Sequence, residues 1–185
     1  SHAWMAFKCG DSTAKKMGRL TLNPMAHLDI MGSLMILFVG FGWAKPVPVD
    51  GRNLRNPRVD MMKVAVAGPL SNLFLAMLAG MLFRLLGDTG LLSEPVFLLI
   101  LYFTQINIAL AVFNMIPIAP LDGSQIFSGY LMRRNPQLAW QIQSYGPQVL
   151  FGLILFSYIS GFSILWILMK PFVDFFMILF IGSSM

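Results

Sequence analysis

The chain has 185 residues, of which 57% are hydrophobic and only 11% charged, with a mean hydropathy of +0.72 and a net charge of +5. A soluble globular domain carries roughly 25% charged residues, so a domain folded in water is excluded. The basic residues lie in short loops between apolar runs, where membrane topology puts them, which argues against nucleic acid as a partner; the single Cys9 excludes an internal disulfide.

These bounds predict an all-α polytopic membrane protein with a short re-entrant or β-like membrane-associated segment over about residues 28–50, organised as one transmembrane domain over 1–185 with the lipid bilayer as its surroundings. Residues 1–7 are apolar apart from Ser1 and His2 and run into Lys8, Lys15, Lys16 and Arg19, as the last turns of a helix leaving the bilayer would. Gly10-Asp11-Ser12 is a helix stop and turn. The opening Ser1-His2-Ala3-Trp4 reads as cut from something longer, with a tag scar as the duller explanation.

Residues 28–43, LDIMGSLMILFVGFGW, are apolar but short, and lie between two basic loops. A simple span would place those loops on opposite sides, against the positive-inside bias. The length and the glycines at 32, 40 and 42 favour a dip that returns to the side it left. The stretch WAKPVPVD (43–50) alternates Pro with Val. Proline cannot donate to a sheet ladder, so it reads as an edge strand or extended loop. Pro46, Val47 and Pro48 are either a surface connector or a rim where an unwound peptide pairs its backbone by strand addition.

Residues 64–86 make a full span, with Gly68, Asn72, Ala76 and Gly80 on one stripe that lets helices approach closely. The loop GDTGLLSEP has two acids and no Lys or Arg, and is placed outside. Residues 95–116 return, with Thr104, Asn107, Ala111 and Asn114 on one helical face. The loop 118–145, with Arg133 and Arg134, is inside. Residues 146–169 form another span, and Pro171 starts a last apolar segment.

This topology brings His2 and Asp122 out at similar depth on the same face, as two possible metal ligands far apart in sequence. Each has a plainer reading: a histidine at a helix end, and an aspartate suited to a Pro-Leu-Asp-Gly turn. His27 is a second histidine on that face, as a substitute ligand, a substrate contact or an interfacial residue. Asn72 and Asn114 have interhelical hydrogen bonding as their plain reading.

Four patches, SHAWMAFKCGDSTAKKMGRLTLNP (1–24), GWAKPVPV (42–49), NPRVDMMKVAVAGPLSN (56–72) and NMIPIAPLDGSQI (114–126), resemble the site-2 protease family of intramembrane zinc metalloproteases, in its compact prokaryotic form without a PDZ domain. The resemblance covers about residues 1–126. It implies an H-E-x-x-H motif of which His2 is the second histidine, with the first histidine and the general-base glutamate immediately upstream of Ser1, and Asp122 as the distant third ligand to Zn2+. It makes Asn114 the candidate for steadying the oxyanion. Two histidines at i and i+4 share one face of a helix, and a carboxylate completes three ligands with a position left for water.

The activity so implied is zinc-dependent endopeptidase cleavage of transmembrane proteins or peptides, in or near their membrane segments. It would take place in the cell (plasma or inner) membrane, in a multi-pass protein with its active site toward the cytosol. The polypeptide as printed is expected to bind zinc poorly and to be inactive, the complete protein active. Two rivals use the same residues: a transporter or channel subunit with Asn107, Asn114 and Asp122 along a polar path, and a noncatalytic scaffold. No duplicated half favours the transporter.

Overall fold

A computed structural model of the chain describes residues 1–39, 42–89 and 93–182. All regular secondary structure among them is helical: α1 His2–Lys8, α2 Thr13–Lys16, α3 Ile30–Val39, α4 Pro57–Leu86, α5 Glu94–Asn114, α6 Asp122–Leu131, α7 Pro136–Ser160 and α8 Ile164–Phe180. Short 3-10 turns lie at Pro24–Ala26, Gly51–Asn53 and Gly87–Thr89. The chain divides into two compact units, Ser1–Val64 and Ala65–Met185.

In the first unit, α1 stops where Gly10 takes a φ of +112°, a conformation open to glycine but strained for other residues. The turn that follows is tied to residues 50–55: Arg55 N–H donates to the Cys9 carbonyl (3.1 Å) and Asp50 N–H to the Asp11 carboxylate (2.8 Å). Residues 28–39 leave this base and residues 42–44 come back to it. Lys45 N–H donates to the His27 carbonyl (2.9 Å), joining the two ends. Further along, the backbones touch: a Cβ on Gly32 would lie 2.0 Å from the Trp43 carbonyl oxygen, and one on Gly42 would lie 2.1 Å from that of Gly32. The expected return is therefore built on Gly32 and Gly42; Gly40 lies outside the described residues. Leu37 and Phe38, 79% and 80% exposed, project from it as an apolar surface. Residues 42–50 have no regular secondary structure. With Pro46 and Pro48 unable to donate, this stretch is an extended loop and not an edge strand.

In the second unit, α4 and α5 are each long and apolar enough to cross a membrane. Pro57 opens α4 at its first position, where no N–H is needed. The expected small-residue stripe faces inward: Gly68, Ala76 and Gly80 are buried, and a Cβ on Gly80 would meet Phe180 Cβ at 2.8 Å. Helix α8 packs mainly on α5, its buried Leu165, Met169, Val173 and Met177 repeating every four residues. Arg84 closes its far end by donating to the Ile178 carbonyl (3.1 Å). Thr104, Asn107 and Ala111 form one buried face of α5, with Asn114 half-buried at its end. Residues 90–92 of the acidic loop lie outside the described residues.

The expectation of one span over 146–169 is corrected. Helix α7 ends at Ser160 on Gly161, whose φ of +70° is a left-handed cap, and Ser163 Oγ accepts from Trp166 N–H (3.2 Å) to start α8. The two helices are bent by 97°, and together they amount to at most one further span. Pro171 lies inside α8 and does not begin a segment.

Gly80→Leu is expected to lower stability by up to about 2 kcal/mol, an overpacking cost of about 1–3 kcal/mol offset by a gain of about 1 kcal/mol in helix propensity. Denaturant titration of the protein in micelles, followed by circular dichroism, measures this.

Candidate active site

His2 stands at the first position of α1, partly buried. Its Nδ1 is hydrogen-bonded to the Val64 carbonyl oxygen (2.8 Å). Histidines that hold metals are typically fixed this way, one ring nitrogen on a carbonyl and the other on the metal.

Asp122 is the first residue of α6, partly buried, after the stretch 115–121 that contains both Pro117 and Pro120; the Ala119–Pro120 peptide is cis. That stretch is folded tightly on itself, with Ile118 N–H donating to the Ile116 carbonyl (2.8 Å) and Leu121 N–H to that of Ile118 (2.9 Å). Two glycines press on it. A Cβ on Gly123 would lie 2.2 Å from the Met115 carbonyl oxygen, and one on Gly146 of α7 would lie 2.5 Å from Ala119 N. Asp122 is thus anchored to the end of α5 by the glycine beside it, the physical content of the Leu-Asp-Gly sequence. Behind it Gln143 of α7 donates to Ser128 Oγ (2.9 Å) and to the Ser124 carbonyl (3.3 Å), locking α6 to α7.

Asn114, the last residue of α5, donates from Nδ2 to the Leu110 carbonyl of its own helix (2.9 Å). Asn107 and Thr104 bond back to their own helix in the same manner. The Asn72 side chain makes no hydrogen bond among the described residues. An apolar cavity of about 490 Å3 opens next to the end of α5, bounded by Met115, Ile116, Pro117 and, from α8, Met169, Phe172 and Phe176.

His27 is occupied locally, its Nε2 on the Thr21 carbonyl (2.9 Å). The extended stretch 45–50 is held at its two ends. Arg19 donates to the Lys45 and Pro46 carbonyls (2.6 and 3.0 Å), and Asp11 accepts from Asp50 N–H. Between these anchors neither the N–H nor the C=O of Val47 has a hydrogen-bond partner among the described residues. Arg19 and Asp11 were invisible as positioning groups in the sequence, because the partners of Arg19 are backbone carbonyls and those of Asp11 lie up to 42 residues away.

The donor chemistry, an imidazole and a carboxylate, suits zinc. Among the described residues, however, no three His, Cys, Asp or Glu side chains gather as a metal would require. His2 belongs to the first unit, Asp122 and Asn114 to the second.

Burial pushes the Asp11 carboxyl up, but the bonds it accepts from the Thr13 hydroxyl and amide, Asp50 N–H and Asn53 outweigh this and hold it below the usual range. Its contribution to stability is complete above the unfolded value of about 3.9 and is lost as pH falls through the lower folded value. Protection of the Asp50 amide against exchange, corrected for the intrinsic rate at each pH, is therefore expected to hold down to about pH 4 and to fall below it, and Asp11→Asn should remove that acid step.

Residues 88–157, which contain Asn114 and Asp122, match the family model described as Peptidase family M50. The chain is 42% identical over 171 residues to "Putative zinc metalloprotease YwhC" of Bacillus subtilis (strain 168), covering 90% of this chain and 77% of that protein. It is 28% identical over 170 residues to "Putative zinc metalloprotease Rip2" of Mycobacterium tuberculosis (strain ATCC 25618 / H37Rv), covering 86% of this chain and 62% of that one. Against the Rip2 of Mycolicibacterium smegmatis the identity is 30% over 145 residues, with 74% of this chain and 52% of that protein covered. No solved structure gives a significant match.

Proposed function

The chain belongs to peptidase family M50, and from that membership we propose that it is the membrane-embedded part of a zinc-dependent endopeptidase that cleaves substrate proteins in or near their transmembrane segments. The observation that carries the reading is the 42% identity, over 90% of the chain, to a protein whose name describes a zinc metalloprotease. Two candidate spans and the apolar exterior support a substrate drawn from the bilayer.

His2 and Asp122 would hold the zinc. When bound, the metal would supply Lewis acidity and bring the pKa of a coordinated water toward about 7. The chain's own residues do the rest. The Val64 carbonyl orients the His2 ring. Gly123 and Gly146 fix the approach of Asp122. The Asn114 amide has two N–H bonds, so one can remain on Leu110 while the second faces the developing oxyanion. An extended substrate backbone would pair with Val47, whose N–H and C=O lie between the two anchors of residues 45–50. The apolar cavity beside Met115–Pro117 would take an apolar substrate side chain.

Nine of the 13 Lys and Arg residues and four of the eight acids lie in residues 1–64, which therefore carry the whole net charge of +5. By the positive-inside rule this supports a cytosolic side for the loops around His2, and water entry from there. Family membership favours hydrolysis over the transporter and scaffold readings.

The test uses the complete protein in liposomes with a transmembrane substrate. Chelation should abolish cleavage and zinc restore it. Because groups that merely support metal ligands cost 10–100-fold when removed, Asp122→Asn should cost at least about 100-fold together with zinc content. Val47→Pro should lower cleavage by about three- to tenfold, the worth of one backbone hydrogen bond, with zinc content unchanged. Cleavage insensitive to chelation, or an Asp122→Asn protein with normal zinc and normal activity, would overturn the proposal.

A further inference from the structure

Arg19 belongs to the basic stretch after α1, where a solvated, exposed side chain is expected. It is instead only 7% exposed. Its Nη1 donates to the Ala26 carbonyl, and its Nη2 to the carbonyls of Lys45 (2.6 Å) and Pro46 (3.0 Å). Its partners are all backbone carbonyls; among the described residues no carboxylate pairs with it. The two nitrogens thus reach two different pieces of chain, one entering the apolar segment 28–44 and one leaving it. The Lys45 N–H to His27 carbonyl bond closes the same base.

This arrangement needs a guanidinium. Its planar fork presents donors in fixed directions, whereas a lysine ammonium is a single compact charge on a flexible stem. Without the fork, three partly buried carbonyls would lose a charge-assisted donor, and the entry and exit strands of the segment would be joined by one backbone bond alone. Lys45 and Pro46 immediately precede Val47. The far end, Asp50, is held independently by Asp11.

We propose that Arg19 is a positioning residue for substrate: by clamping the carbonyls of Ala26, Lys45 and Pro46 it sets the direction in which the Val47 backbone is presented to an extended peptide. The assignment rests on the reading above that residues 46–48 pair with substrate. It adds that the pairing edge is aimed by a side chain from the loop after α1, so that this loop and the apolar segment act on substrate as one piece.

The experiment compares the complete wild-type protein with Arg19→Gln and Arg19→Lys in micelles, by hydrogen exchange and by kinetics on a transmembrane peptide. In Arg19→Gln, exchange of the Lys45 amide should rise about tenfold, as expected when a charged hydrogen-bonding group is withdrawn. Exchange at Asp50 and in α5 should not change. KM should rise about tenfold, with kcat within twofold and zinc content equal to wild type; Arg19→Lys should recover part of the KM. Unchanged exchange at Lys45, a rise throughout the chain, a lowered kcat at constant KM, or lost zinc would each overturn the assignment. If the wild-type protein itself neither binds zinc nor cleaves, the proteolytic reading is what has failed, and the exchange measurement still decides whether Arg19 sets the segment.

Discussion

In an apolar chain that lives in a bilayer, backbone that is not helical must find its hydrogen-bond partners inside the protein. Two stretches of this chain meet that constraint by different means. Residues 115–121 satisfy it by folding on themselves through the Ile116, Ile118 and Leu121 bonds. Residues 42–50 rely on side chains from elsewhere, with Arg19 donating to carbonyls at one end and Asp11 accepting an amide at the other. Between those anchors, the Val47 backbone lacks hydrogen-bond partners among the described residues. The pairing proposed above would use the Val47 backbone between these anchors.

Close approach is the second theme, and glycine supplies it. Gly32 and Gly42 let the apolar segment touch its own returning backbone, Gly80 admits α8 to α4, and Gly123 and Gly146 admit α6 and α7 to the stretch before Asp122. In lipid the apolar surfaces gain little from hiding from the solvent, so association depends on packing at short range. Gly123 and Gly146 thereby set where Asp122 lies.

Much of this was legible in the sequence. Hydropathy and the four-residue stripe marked α4, and length with flanking charge marked the apolar segment at 28–43 as one that returns. The break at Gly161–Ser163 was not legible, because the run is apolar on both sides and hydropathy ignores a left-handed glycine followed by a serine cap. Pro171 misled for the opposite reason: proline usually marks a boundary, yet here the helix passes through it. Arg19 and Asp11 were hidden because a charge in a basic loop carries no record of which carbonyls or amides it will meet. The motif patches point to His2, Asn114 and Asp122 as candidates, and the fold adds how each is held: by Val64, by Leu110 and by Gly123.

The central claim, that an imidazole near the beginning of this sequence and a carboxylate 120 positions later serve one zinc ion, is tested most directly by X-ray absorption at the zinc edge of the complete protein. The account predicts a first shell of nitrogen and oxygen donors at about 2.0–2.2 Å that loses a nitrogen in His2→Ala and an oxygen in Asp122→Asn. A zinc shell identical in the wild type and both variants would contradict it.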